Sequence, residues 1–489
     1  MRNRPLAAII LAVLTTATLL PRLFDLGAFQ TADEKMWVAN TQNFTRHLAT
    51  FNWDHLLQQP HPGITTTWLG SLTINSPSLA VRKLPLVIGQ SVLIGLTGYI
   101  FYRLWGKTAS ALLVTLLALN PFLIAHTRVY AMDSLLAHFL LLSTACLLLW
   151  REQRETRYLI FAAYAAALAV LSKLPGLIIV AATIVAISFW TTRDRRRANP
   201  LAPLAIWLTA FAISLIAFFP SLTLNFPEVK QKTLDFLLTG DVQEVHHVSA
   251  GFDYYFKTLI FFSTPLQLGA LFALPFTWRY FSRAQKEAAM LLLSTAALFI
   301  AAMSFGAKKG DRYILPVFLL LDAAFVLVFF SFTSWLSKKS RILLITSYGL
   351  LITMLAWQAA DVARLHPYAL AYVNPLTKPW YGDRRLGWGE GLDLAAQYLN
   401  KMPAADQLTV AAPYPTEFAY VFTGRVIPLN HYAAAKADYI ILYRSLLERG
   451  HEAWETEVLH EFQRLEPEKT ITLNGLPYVW IYRAPITAN

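Results

Sequence analysis

Apolar runs long enough to cross a bilayer recur along most of the first 360 residues of this 489-residue chain, and about twenty such residues make one membrane-spanning helix. With 56% hydrophobic residues and a mean hydropathy of +0.43, a soluble fold is excluded. The runs place spans at about 5–23, 84–102, 109–125, 133–150, 158–171, 175–190, 203–221, 258–278, 287–304, 313–333 and 341–358. The first begins with basic residues, but no small-x-small cleavage site follows and Pro21-Arg22 ends it, so an uncleaved anchor is expected rather than a signal peptide.

The formal charge of +12 is not a nucleic-acid signature, because the cations cluster in short loops between apolar runs. Alternate loops carry Arg2 and Arg4; Arg103 and Lys107; Arg151, Arg154 and Arg157; Arg193, Arg195, Arg196 and Arg197; Arg279, Arg283 and Lys286; and Lys338, Lys339 and Arg341. By the positive-inside rule these face the cytoplasm. An odd number of spans then puts the N-terminus inside and the C-terminus outside. The long polar segments all fall on the outer side: a first loop over 24–83, short turns at 125–132 and 172–175, a loop at 223–257, a turn at 306–312, and the tail from about residue 361. Chemistry on polar substrates is expected on that face of a cell membrane. Cys146, the single cysteine, lies in an apolar run and permits no intrachain disulfide.

The tail, 361–489, has another texture. "LDLAAQYLN" from Leu392 and "AWETEVLHEF" from Ala453 have helical periodicity, while "QLTVAA" from Gln407 and "ADYIILY" from Ala437 read as buried strands. "KTITLNGLPYVWIYR" alternates about Asn474-Gly475, a strong hairpin signal. A small extracytoplasmic α/β domain is expected behind an all-α polytopic domain over 1–360. The tail shows no phosphate loop, metal-ligand spacing or nucleophile elbow.

Titratable residues gather on the outer face. In "FQTADEKMW", Thr31 and Glu34 fit a capping box, in which the hydroxyl accepts one backbone N–H and the carboxylate another. Capping has no need of Asp33, which either balances the helix dipole or serves as an ionised base. Asp133 opens the fourth span as an N-cap or an acid, with His126, Arg128 and Tyr130 in the turn before it. Lys173 stands alone between two spans, either snorkelling or binding an anion. Lys308, Lys309 and Arg312 crowd an outer turn against the positive-inside trend; a solvated turn accounts for one or two of them and a phosphate site for all three, with the Tyr313 hydroxyl as a further donor. Asp322 lies at mid-span with no partner legible, and His246-His247 reads as a solvated pair rather than a metal site.

Taken together and in order, "TADEKMW", "RVYAMDSLLAHFLLLS", "LSKLPGLIIV" and "KKGDRYILP" resemble the dolichyl-phosphate-mannose:protein mannosyltransferase and aminoarabinose-transferase group, glycosyltransferase family 39, with the C-type glycosyltransferase fold. "HPGITTTWLG" from His61 and "HPYALAYVNPL…LGWGEGLDLAAQYLN" from His366 resemble a prokaryotic branch of it. The resemblance implies a polyprenyl-phosphate sugar donor entering from the bilayer and transfer to a hydroxyl acceptor, usually with inversion. It implies Asp33 as base with Glu34 beside it, Asp133 as a second acid, and Lys173, Arg312 and Tyr313 as donor-phosphate contacts. Lys308 and Arg128 complete the candidate cation set. Relatives of the aminoarabinose type often read Asp-Glu-Pro-Arg-Tyr in the first loop, where this chain has Asp33-Glu34-Lys35-Met36-Trp37. The arginine is missing, and Lys35, one position earlier, points about 100° away on a helix.

The chemistry is self-consistent. A phosphate ester leaves as an anion and needs cations rather than a general acid. The acceptor hydroxyl loses its proton late, so an ordinary carboxylate suffices. The sugar stays open, as does the acceptor among protein, lipid and cell-envelope glycan; no cofactor is assigned, and a divalent metal is left open. A lipid-linked-sugar transporter or flippase is the alternative. Transporters bind near the midplane on broken helices, whereas these ionisable groups sit at the outer boundary. A membrane-anchored binding protein would leave ten spans without a purpose.

Overall fold

The computed structural model describes residues 4–58, 62–193, 199–239, 251–306, 308–381, 387–431, 437–448 and 453–484. Arg2, His61, Arg195, Arg196, Arg197, His246 and His247 lie outside the described residues. Among the described residues, seven helices are each long and apolar enough to cross a membrane: Leu79–Trp105, Asp133–Gln153, Leu174–Arg193, Leu201–Phe218, Arg283–Phe305, Asp311–Ser337 and Arg341–Leu365. Two bent pairs raise the number to nine if each is one span. The shorter apolar helices Leu11–Leu23 and Thr156–Ser172 occupy the two remaining expected positions.

The spans expected at 109–125 and 258–278 coincide with the two bent pairs. Lys107–Leu119 turns by 65° into Pro121–Thr127, and Tyr254–Phe262 by 112° into Pro265–Tyr280. Each break is written locally. Proline has no N–H to continue a helix but suits its first position. At the first break Asn120 caps the new helix, its Oδ1 accepting from the Leu123 N–H at 3.1 Å. At the second, Thr264 and Gln267 form a reciprocal capping box. Asp322 joins the two: its carboxylate accepts from Asn120 Nδ2 at 3.0 Å and from Gln267 Nε2 at 2.9 Å. The mid-span acid for which the sequence offered no partner thus has two, one at each helix break.

The helices Asp133–Gln153 and Asp311–Ser337 form the buried centre of the bundle. Leu201–Phe218 and Arg341–Leu365 present mostly exposed apolar side chains, as suits contact with lipid. The tail carries a five-stranded sheet of order β2-β1-β3-β5-β4, with β1 Thr409–Ala412, β2 Arg425–Pro428, β3 Tyr439–Tyr443, β4 Lys469–Leu473 and β5 Leu476–Arg483. Strand β1 is parallel to β2 and β3, whereas β5 is antiparallel to β3 and β4. Strand β2 escaped the sequence reading because it is four residues long and buries only Ile427. The hairpin turns at Asn474 (φ 50°) and Gly475 (φ 73°), both left-handed as a two-residue hairpin loop demands. Its tip rests on the segment after the last long helix: Asn474 Nδ2 donates to the Ala371 carbonyl at 2.9 Å, and the Lys378 amine donates to the Asn474 carbonyl.

Candidate active site

Four charged residues from four separate segments form a row of alternating sign under the tail. Asp33 immediately precedes the helix Glu34–Ala49 and makes no side-chain cap. Its Oδ2 accepts from Arg312 Nη2 at 2.8 Å. Arg312 stands in the turn Asp311–Ile314 that leads into the central helix. Its Nε lies 3.6 Å from Asp133 Oδ2 and makes no hydrogen bond. Asp133 begins its own helix and accepts from Lys173 Nζ at 2.7 Å through Oδ1. Lys173 is an extended residue between two helices. Asp133 and Lys173 are buried, while Asp33 and Arg312 keep 36% and 24% of their side-chain surface. The carboxylate at the open end is therefore Asp33.

Aromatic faces line the cations. The Lys173 amine sits 4.2 Å from the centre of the Tyr313 ring and the Arg312 guanidinium 5.4 Å from it. The Arg312 guanidinium also lies 3.9 Å from the Trp388 ring centre. His126 is buried edge-on against Phe122 at 4.7 Å, its ring 6.3 Å from that of Trp388.

Glu34 is turned away from this row. It is fully buried, with Oε2 accepting from the Thr31 N–H at 2.8 Å and Oε1 from the Tyr130 N–H at 2.7 Å. Lys83 Nζ pairs with Oε1 at 2.8 Å. One half of the expected capping box is present, the carboxylate reaching back. The other half is not, since the Thr31 hydroxyl makes no hydrogen bond. Glu34 clamps the first loop to the turn before Asp133 and to the helix of Lys83.

Arg128 is also elsewhere. Its guanidinium donates to the carbonyls of Pro21, Phe24 and Asp25 at 3.1, 2.7 and 2.9 Å, which ties down the end of the first apolar helix. Lys308 is partly buried in the turn before Arg312, and Lys309 Nζ bonds the Gly306 carbonyl at 2.9 Å. Lys35 reaches the Thr416 hydroxyl of the tail at 3.2 Å. Among the described residues no group of three or more His, Cys, Asp or Glu could hold a metal ion.

Trp388 was missed as a site residue, although its setting carries a signal. It stands in Gly387-Trp388-Gly389-Glu390-Gly391, and all three glycines have positive φ (110°, 120° and 89°), a backbone that other residues rarely adopt. Such a loop is held for a reason. Glu390, buried in it, accepts from the Trp388 N–H at 2.7 Å, and burial pushes its carboxyl up to about 7.

The row can hold an anion between Arg312 and Lys173 and take a proton at Asp33. Residues 39–234 match the family model described as Dolichyl-phosphate-mannose-protein mannosyltransferase. That stretch includes Asp133 and Lys173. The structure is similar to the Archaeoglobus fulgidus oligosaccharyltransferase in complex with Zn and sulfate, with TM-score 0.50 and 13% identity over 89% of this chain and 68% of that one. It is similar to the archaeal oligosaccharyltransferase AglB from Archaeoglobus fulgidus in complex with an inhibitory peptide and a dolichol-phosphate, with TM-score 0.50 and 13% identity over 91% and 70%. ArnT from Cupriavidus metallidurans bound to undecaprenyl phosphate aligns over 98% of both chains at 14% identity and TM-score 0.49. No curated protein matches the sequence.

Proposed function

We propose that this membrane glycosyltransferase of the C-type fold takes a sugar from a polyprenyl-phosphate donor, with Arg312 and Lys173 on the donor phosphate and Asp33 as the base for a hydroxyl acceptor. The observation that carries the reading is the row Asp33–Arg312–Asp133–Lys173, in which each cation lies within 3.6 Å of a carboxylate. The acceptor oxygen attacks the anomeric carbon as the bond from that carbon to the phosphate oxygen breaks. The bonding electrons leave on the polyprenyl phosphate, where charge-assisted hydrogen bonds from the two cations stabilise them. The acceptor proton passes to Asp33. Attack opposite the leaving phosphate inverts the anomeric centre.

The two cations and two carboxylates neutralise one another, and Arg312 pairs with Oδ2 of Asp33. A donor phosphate competes for the guanidinium. Once it takes Arg312, Asp33 Oδ2 is free to accept a proton. Asp133 stays with Lys173 and holds that amine in place. We assign the reaction to the outer face of the plasma membrane, with the N-terminus cytoplasmic; the loop charges support this. Detergent-solubilised protein, with no membrane potential, is expected to release free polyprenyl phosphate from a sugar-loaded donor and to glycosylate a hydroxyl acceptor. Binding of the donor without turnover across envelope acceptors would contradict the reading.

A further inference from the structure

The loop that carries Trp388 is fixed from both sides without help from the indole. On the tail side the Gly389 N–H donates to the Tyr443 hydroxyl at 2.9 Å, and that hydroxyl donates to the Glu390 carbonyl at 3.2 Å. On the membrane side the Ala32 N–H donates to the Trp388 carbonyl at 3.0 Å, one residue before Asp33. A Cβ on Gly389 would come within 2.7 Å of the Gln30 carbonyl oxygen, so only glycine allows this approach. Backbone contacts alone thus join the loop to the segment bearing the base. The indole is left half-buried, with one face 3.9 Å from the Arg312 guanidinium.

We propose that Trp388 is a positioning residue of the active site, brought by the tail to hold the Arg312 guanidinium in the plane that serves the donor phosphate. The tail then completes the site rather than merely hanging beside it. A guanidinium stacked on an aromatic face keeps its in-plane N–H donors for anions. Without the ring, Arg312 would be held by Asp33 and Asp133, whose hold the donor has to loosen, and by the more distant Tyr313 ring. The stack lets it exchange Asp33 for phosphate without swinging out of the site. This inference rests on Arg312 being a phosphate ligand.

The test is titration of the full-length, detergent-solubilised protein with farnesyl phosphate, a short polyprenyl phosphate. Trp388→Leu, which fills space but has no π face, is expected to weaken binding about 5–30-fold. Trp388→Phe is expected to stay within about 3-fold of wild type. With a sugar-loaded donor, the loss should appear in the donor KM, with kcat at saturation changed less than about 3-fold. In an Arg312→Ala background, Trp388→Leu should add less than about 2-fold, since the partner through which it acts is gone. Binding by Trp388→Leu within 2-fold of wild type would overturn the inference, as would losses that multiply in the double variant or a Phe variant as weak as Leu. If Arg312→Ala itself binds like wild type, the phosphate assignment fails instead, and the two failures are distinguishable.

Discussion

The adjacent acids Asp33 and Glu34 differ because of where the helix starts. Successive helical residues point about 100° apart. With Glu34 drawn back to the Thr31 N–H, Asp33 faces Arg312. The sequence could separate the two because capping needs a residue at the Glu34 position and none at Asp33. It could not show that Glu34 also neutralises Lys83, which comes from a different helix. That pairing decides what a substitution does. Glu34→Gln keeps an acceptor for one of the two backbone N–H groups, turns its NH2 on the other, and leaves a buried ammonium without its counter-charge, a change that costs about 3–5 kcal/mol. The expected outcome is a marked fall in thermal unfolding temperature in detergent, with turnover per folded molecule largely retained. Unchanged stability and abolished turnover would make Glu34 the reacting acid. Arg128 teaches the opposite lesson. A cation at a span boundary is legible in sequence, but its partners here are backbone carbonyls, which no side-chain pattern announces.

Among the elements, the two broken helices were hidden by their own hydrophobicity, which runs unbroken through Asn120-Pro121 and Thr264-Pro265. The cap-then-proline signal was present at both, yet a window long enough to find a span averages over it. Asp322 is legible only as an anomaly until the breaks are known. Asp322→Leu should then leave the Asn120 amide hydrogens without their acceptor, costing about 1–3 kcal/mol. The check is a lowered unfolding temperature, with Asp322→Asn milder than Leu. Equal stability of all three proteins would remove the bracing role. The glycine loop makes a pH-dependent prediction. The Glu390 carboxyl is raised to about 7 by burial, so the folded state favours its protonated form. Its contribution to stability is full below the ordinary carboxyl range, is lost as pH rises towards 7, and stays lost above it. Glu390→Gln mimics the protonated form. Its unfolding temperature relative to wild type should rise between pH 5 and pH 8 and level off beyond. A difference that is flat with pH would contradict a buried, raised carboxyl.

At the scale of the whole molecule, the membrane architecture and the small α/β tail were both readable, because bilayer thickness and strand alternation leave periodic marks. The docking of tail on bundle was not readable. It depends on Gly389 meeting Gln30, on the Ala32 N–H meeting the Trp388 carbonyl and on Lys35 meeting Thr416, contacts between distant stretches of chain that leave no local pattern. Four of the proposed site residues were named from sequence because loop charge marks one face and the acids and cations cluster on it; Trp388 belongs to that same face only through the docked tail. A reporter active only outside the cell, fused to the C-terminus, is expected to be active; activity of a cytoplasmic reporter there would move the tail and the site to the other face. The account's central claim is that Asp33 is the base and that its partner Arg312 takes the donor phosphate. The most direct test is Asp33→Asn, with donor affinity and single-turnover transfer at saturating donor measured on one preparation. Transfer should fall about 10²–10⁴-fold, while donor affinity holds or tightens because Arg312 has lost its competing carboxylate; a near-wild-type transfer rate, or donor binding lost along with it, would contradict the account.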